Sequence, residues 1–210
     1  MIRKATAGVG ASTNIIWSIL VGRTNEEVNQ LKATYFKKYD QDLGKVIASE
    51  LRGQMERITF NSLQGAQEEY DPQFHTADKA VEDAEAIHGM GQGRWGTDEK
   101  GIFRVICAAP KEHLEHVNKA YADKFGYTIE KALEKELGGL MESGTKKATL
   151  HMVGMKLKPY ETIAVLIRDA CAGIGTDELL LTCCLIRYQG VMQEVMSAHI
   201  ELYGKTVSPQ

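Results

Sequence analysis

Apolar residues recur along this chain at spacings of three and four. Ile15, Ile16, Ile19 and Leu20 share one helical face, Val28, Leu31, Tyr35 and Tyr39 a second, and Leu43, Val46, Ile47 and Leu51 a third. After a polar interval the plan returns with Ile102, Val105 and Ile106, then Leu114, Val117 and Tyr121, then Ile129, Leu133 and Leu137. A third round has Leu180 and Cys184, with Ile186 a further candidate, then Val191, Val195 and Ile200 after Gly190. No segment sustains the alternation of β-branched residues that a strand requires, so the expected fold is all-α. Ser12, Asn25 and Asp42 stand before apolar runs as N-caps, and Pro110 sits at a helix start.

Each round contains a glycine loop ahead of a helix. The copies are Gly8-Val9-Gly10-Ala11-Ser12, Arg94-Trp95-Gly96-Thr97-Asp98-Glu99 and Gly173-Ile174-Gly175-Thr176-Asp177-Glu178. Gly10 and Gly96 are 86 residues apart, Gly96 and Gly175 are 79 apart, and the longer interval holds the polar stretch Gln67 to Gln73. Helices over Asp78 to His88 and Pro159 to Ala172 lead into the second and third loops, whereas only Met1 to Ala7 precede the first. The expected organisation is a unit over 1–66 lacking most of its first helix, a linker at 67–77, a complete unit over 78–157, and a unit over 158–210 lacking its last helices. Repeated units bury their faces against neighbours, so incomplete ends predict low stability or self-association through them.

Charge and cysteine content narrow the function classes. The formal net charge of −3 gives no general attraction to nucleic acid or to an anionic bilayer. The four cysteines, Cys107, Cys171, Cys183 and Cys184, lack CxxC spacing and read as buried thiols of a cytoplasmic protein. No apolar run is long enough to span a bilayer, and no apolar signal core follows the first residues.

The loops recur with a distant carboxylate. Glu50 lies 40 residues after Gly10, and Glu136 lies 40 after Gly96. A hard cation such as calcium takes six to eight oxygen ligands. The carbonyls of Thr6, Gly8 and Gly10 with the Glu50 carboxylate make one partial shell, and those of Gly91, Arg94 and Gly96 with Glu136 make another. Each leaves positions open for water or a lipid phosphate, and the ion would bridge an acidic protein to an acidic membrane. The competing reading is an ordinary helix start, with Thr97 or Thr176 as cap and acids in the first turn.

The runs Asn14 to Val28, Leu31 to Tyr35 and Asp42 to Gly53 resemble an annexin repeat, as do Gly96 to Glu99 with Lys135 to Gly139, and Gly173 to Glu178. The likeness covers nearly the whole chain and matches repeats two to four of a four-repeat annexin, the last cut short. It implies a curved, right-handed superhelical disc of helical repeats. It also implies calcium-dependent binding to anionic phospholipid through the convex face, in the cytoplasm and at the membrane when calcium rises. The ligands named above match the family's membrane-facing site, and Trp95 matches a tryptophan that enters the bilayer interface. Ala11-Ser12 stands where the family has Thr-Asp, which weakens the first site. The third loop, with carbonyls of Cys171, Gly173 and Gly175, has no residue at position 215 to complete it. Glu142, in the glycine-rich segment after Glu136, is an alternative ligand to Glu136.

Other chemistry is thin. His113 and His116 are one helical turn apart but read as solvated helix surface, together with His75, His88, His151 and His199. Gly89-Met90-Gly91-Gln92-Gly93 lacks the Gly-Lys-Ser/Thr of a phosphate loop, and Lys37-Lys38 and Lys146-Lys147 are too short for a nucleic-acid patch. No nucleophilic triad is present, so no enzyme is expected. The rival to membrane binding is a calcium-independent interaction or cytoskeletal scaffold whose ion sites have decayed.

Overall fold

The structure, a computed structural model, describes residues 2–6, 13–64, 67–91, 105–136, 143–172 and 175–204. Among the described residues every regular element is helical. The first round comprises α1 (Ile2–Ala5), α2 (Thr13–Leu20), α3 (Asn25–Tyr39), α4 (Leu43–Glu50) and α5 (Gly53–Leu63). The second comprises α6 (Ala77–Gly91), a helical segment at 105–108, α7 (Lys111–Phe125), α8 (Ile129–Glu136) and α9 (Ser143–Leu157). The third comprises α10 (Pro159–Cys171), α11 (Glu178–Tyr188), a 3-10 turn at Gln189–Val191 and α12 (Met192–Tyr203).

The first two rounds are in register. Helices α3 and α7 have 15 residues each, α4 and α8 have 8, and each pair begins 86 residues apart. Val28, Leu31, Tyr35 and Tyr39 of α3 therefore fall on the positions of Leu114, Val117, Tyr121 and Phe125 of α7. The last two in each helix pack ring against ring at 4.8 Å, and His199 and Tyr203 of α12 repeat the pair at 4.8 Å. A group from the first helix of each round covers the outer ring. Arg3 lies 5.1 Å from the Tyr39 ring, Arg168 lies 4.0 Å from Tyr203, and the His88 ring stacks on Phe125 at 3.6 Å. All three helices end on a left-handed residue whose N–H closes the last turn: Asp40, Gly126 and Gly204.

Local chemistry sets the starts. Asp42 caps α4, accepting from Lys45 N at 2.8 Å. The cap of α3 is Thr24 rather than Asn25, because Thr24 and Glu27 exchange hydrogen bonds at 3.2 and 2.9 Å in a capping box. Asn25 is the first helical residue and pairs with both backbone groups of Gln67, at 2.7 and 3.2 Å, tying the linker to α3. Ser12 lies outside the described residues.

The core runs continuously through the rounds: Ile15, Ile16, Ile47, Ile58, Leu114, Val117, Ile129, Leu133, Ile163 and Val195 all belong to it. Two expected core positions do not, since Ile186 is 59% and Ile200 44% exposed. They lie on a side of α11 and α12 that no described element covers. Helix α2 packs against both α9 and α11, so the first round touches each of the others.

Candidate functional site

The proposed ligands that are described, Thr6, Glu50, Gly91 and Glu136, fall at helix ends. Thr6 follows α1, with its N–H and hydroxyl both folded back on Ile2 O at 2.9 and 3.1 Å. Its carbonyl accepts no hydrogen bond among the described residues. Glu50 is the last residue of α4, exposed, with no hydrogen-bond or ion-pair partner among the described residues. An unpaired carboxylate at a helix C-terminus sits against the negative end of the helix dipole, an arrangement that a cation relieves. Glu136 is the last residue of α8, the same position in the equivalent helix, and Gly91 is the last residue of α6. Gly8, Gly10, Arg94, Trp95, Gly96 and Glu142 lie outside the described residues, as does Thr97.

The third loop shows how such a segment starts a helix. Asp177, not Thr176, is the cap of α11: its carboxylate accepts from Leu180 N at 2.9 Å, and its own N–H reaches Ala170 O at 2.8 Å. Aspartate one residue further along closes the turn because Gly175, at φ 95°, swings the backbone around first. Thr176 stays exposed.

Several polar residues have other places than their sequence context suggests. His113 is 2% exposed and bonds Asp83 through Nε2 at 2.8 Å, so it is not helix surface. His75, His151 and His199 are buried as well, whereas His116 is exposed. Apolar patterning does not mark them: His113, His151 and His199 occupy helical positions that the 3.6-residue period turns inward, and His75 lies in the linker outside any helix. None of the four cysteines is in a disulfide; Cys183 and Cys184 are buried, Cys107 is half-buried, and Cys171 is exposed at the end of α10. Burial pushes the Cys184 thiol up to about 12 and Cys107 up to about 11, which leaves both as inert thiols.

Two cations donate to carbonyls at the ends of other helices, one of them beside Gly22, which is left-handed at φ 72°. Arg187 of α11 donates to Ser18 O in the last turn of α2 and to Val21 O and Gly22 O just after it, at 2.5, 3.1 and 3.2 Å. Lys156 of α9 donates to Ile106 O, Cys107 O and Ala109 O at 2.7, 3.0 and 2.5 Å. Burial brings Lys156 down to about 8, with the nearby Cys107 acting in the opposite direction. Arg187 and Tyr188 of α11 meet Trp17 of α2 around His151 of α9: the Trp17 ring lies 5.3 Å from His151, and Tyr188 Oη 3.4 Å from its Nε2. Among the described residues no three His, Cys, Asp or Glu side chains converge on a metal position, and no helix is long and apolar enough to cross a membrane.

A family model described as Annexin matches residues 1–60 and 82–147. The chain belongs to the annexin family. It is 30% identical to annexin A5 of Cynops pyrrhogaster over 208 residues, covering 98% of this chain and 62% of that protein. It is 30% identical to annexin A13 of Mus musculus over 210 residues, covering 99% of this chain and 64% of that one. A solved structure of annexin A8 superposes with a TM-score of 0.87 at 24% identity, over 98% of this chain and 63% of that one. Calcium-bound alpha-14 giardin superposes at 0.86 and 18% identity, over 98% and 67%. This annexin chain thus spans less than two thirds of the length of annexins A5 and A13, at 62% and 64%.

Proposed function

We propose that this annexin chain binds anionic phospholipid membranes peripherally, through calcium held between its interhelical loops and distal glutamates. The observation that carries the reading is the placement of Glu50 and Glu136 on the last residue of equivalent eight-residue helices, with the Glu50 carboxylate unpaired. The donor set fits calcium, being all oxygen: carbonyls of Thr6, Gly8 and Gly10 with Glu50, and carbonyls of Gly91, Arg94 and Gly96 with Glu136. Three carbonyls and one carboxylate leave coordination open, and phospholipid phosphate oxygens complete it. The ion supplies the positive charge that a chain of net charge −3 lacks towards an anionic surface. Trp95 follows into the interface, where an indole is at home. Calcium-bound alpha-14 giardin, a protein of the same fold, supports the choice of cation. The reading assigns a cytoplasmic protein that moves to membranes when calcium rises, built of units at 1–66, 78–157 and 158–210 around a linker at 67–77, and it assigns no catalysis.

Co-sedimentation with phosphatidylserine vesicles tests it. Pelleting is expected with calcium and not with chelator, weakened by Glu50→Gln and by Glu136→Gln, and lost in the double variant. Folded protein that stays in the supernatant at millimolar calcium would refute the reading and favour the scaffold. Loss on Glu142→Gln alone would transfer the second site to that carboxylate.

A further inference from the structure

Two buried histidines face one cavity between the linker and the second round. His75 and His113 are 4% and 2% exposed, and their ring centroids lie 4.6 Å apart. Nε2 of His75 and Nδ1 of His113 are buried with no hydrogen-bond partner among the described residues. The other nitrogen of each ring is held from behind. Nε2 of His113 donates to Oδ2 of Asp83 at 2.8 Å, which leaves a lone pair on Nδ1 of the neutral ring. Nδ1 of His75 lies 3.1 Å from the Asp71 carbonyl and 3.0 Å from the Asp71 N–H. The carbonyl can accept a proton carried on Nδ1, and that tautomer leaves the lone pair on Nε2. Oε2 of Glu68 stands 3.4 Å from this Nε2, without the geometry of a hydrogen bond. Glu68, His75 and His113 line one cavity of about 200 Å³, whose apolar wall is Phe74, Val105 and Ala108.

We propose that Nε2 of His75, Nδ1 of His113 and the Glu68 carboxylate bind a divalent transition-metal ion of the zinc class, which staples the linker to α7. Two imidazoles and one carboxylate form a ligand set that zinc takes with its fourth position open to water. Ligands about 2.0–2.2 Å from a tetrahedral ion stand about 3.3–3.5 Å from one another, and two imidazole rings on it have centroids about 5 Å apart. The 3.4 Å between Glu68 and His75 and the 4.6 Å between the rings match this spacing. Asp83 behind His113 and the Asp71 carbonyl behind His75 are outer partners of the kind that orient ligating histidines through their second nitrogen. The three side chains do not converge on one point as they stand. The Glu68 side chain is 53% exposed and is the one free to turn inward, whereas both histidines are fixed by packing. Charge fits as well. Lys79 bonds Asp83 Oδ1 at 2.7 Å and lies 3.9 Å from Glu82, so three carboxylates (Glu68, Glu82 and Asp83) stand against one ammonium, a balance of −2 that a divalent ion neutralises. Imidazole nitrogens suit zinc and not calcium, which keeps this site distinct from the all-oxygen loops.

Zinc titration of the full chain in metal-depleted, calcium-free buffer, read by competition with a chromophoric chelator, tests the site. One equivalent is expected to bind with micromolar or tighter affinity. His75→Gln, His113→Gln and Glu68→Gln should each weaken it at least about tenfold, and Asp83→Asn should weaken it about 10–100-fold through His113. His116→Gln, at an exposed position of α7, should leave it unchanged, and millimolar calcium should not compete. No binding, binding that survives both His75→Gln and His113→Gln, binding lost with His116→Gln or with Cys171→Ser, or displacement by calcium would overturn the proposal. Histidine ring NMR on the wild type is independent of variant folding. One equivalent of zinc should move the His75 and His113 ring signals together and leave His116 in place, and an unmoved His75 or His113 ring would overturn the site.

Discussion

His151 makes the three-way junction of α2, α9 and α11 sensitive to acid. Burial, with the Arg187 guanidinium beside it, pulls His151 from its ordinary 6.5 down to about 3. Between those values the unfolded chain binds a proton that the folded chain refuses, so stability is present above 6.5 and drains away as pH falls towards 3. At pH 5.0 the loss is 1.5 pH units at about 1.4 kcal/mol each, or about 2 kcal/mol relative to pH 7.5. That is a sizeable part of the roughly 5–15 kcal/mol that holds a domain folded. Urea unfolding at both pH values measures it. Carboxylates also titrate in this range, so the informative quantity is the difference between wild type and His151→Gln, which keeps an amide near Tyr188 Oη but has nothing to protonate. The wild type should lose about 2 kcal/mol more than the variant between pH 7.5 and 5.0. Equal losses within about 0.5 kcal/mol would mean that the junction admits a proton or water, and the argument from burial would be refuted.

Two glycines should respond to alanine with opposite signs. A Cβ on Gly154 would sit 2.2 Å from Thr162 Oγ1, where α9 meets α10, so Gly154→Ala should cost about 1–3 kcal/mol in thermal or urea unfolding and recover when Thr162→Ala is added. A Cβ on Gly89, inside α6, meets nothing within 4 Å, so Gly89→Ala should stabilise by about 0.5–1 kcal/mol. Lys156→Met keeps the apolar stem but strips three carbonyls of their donor and should cost about 3 kcal/mol by urea unfolding, whereas an unchanged midpoint would show that water takes the place of the ammonium. Calcium should raise the melting temperature of the wild type more than that of Glu50→Gln, since a ligand that binds only the folded state stabilises it by mass action.

The pattern of apolar positions exposed the helices, because α3, α4, α7 and α8 each turn one apolar face to the core and their spacing repeats. The distal glutamates came from a different signal, a separation from the glycine loops that recurs at 40 residues. The apolar pattern failed where a polar side chain occupies an inward position. His113 looks like surface because its neighbours Glu112 and Glu115 are polar, yet its partner Asp83 comes from α6, thirty residues earlier. Cap identity shifted by one residue at both Thr24 and Asp177, since either of two adjacent cap-forming residues suits the sequence and only the backbone turn chooses between them. Ile186 and Ile200 followed the helical period and remain exposed, because periodicity assigns a face but cannot supply the element that covers it.

The same limit explains why Arg187 and Lys156 gave no signal. The last carbonyls of a helix need donors, and glycine or a following turn normally provides them within the chain's local sequence. Here the carbonyls after α2 are satisfied by Arg187, 165 to 169 residues away, and those at 106–109 by Lys156, 47 to 50 away. The two sets share one equivalent position, since Val21 and Cys107 are 86 residues apart. A long-range donor at each place means that the end of that helix is finished only when another part of the chain has docked on it. Docking is thereby tied to hydrogen bonding as well as to apolar burial: an α2 without α11 would leave the carbonyls of Ser18, Val21 and Gly22 without their guanidinium. Apolar faces let helices slide, whereas three carbonyls around one guanidinium admit a single position. We read Arg187 as fixing the register between the first and third rounds, and Lys156 as fixing α9 on residues 106–109 within the second.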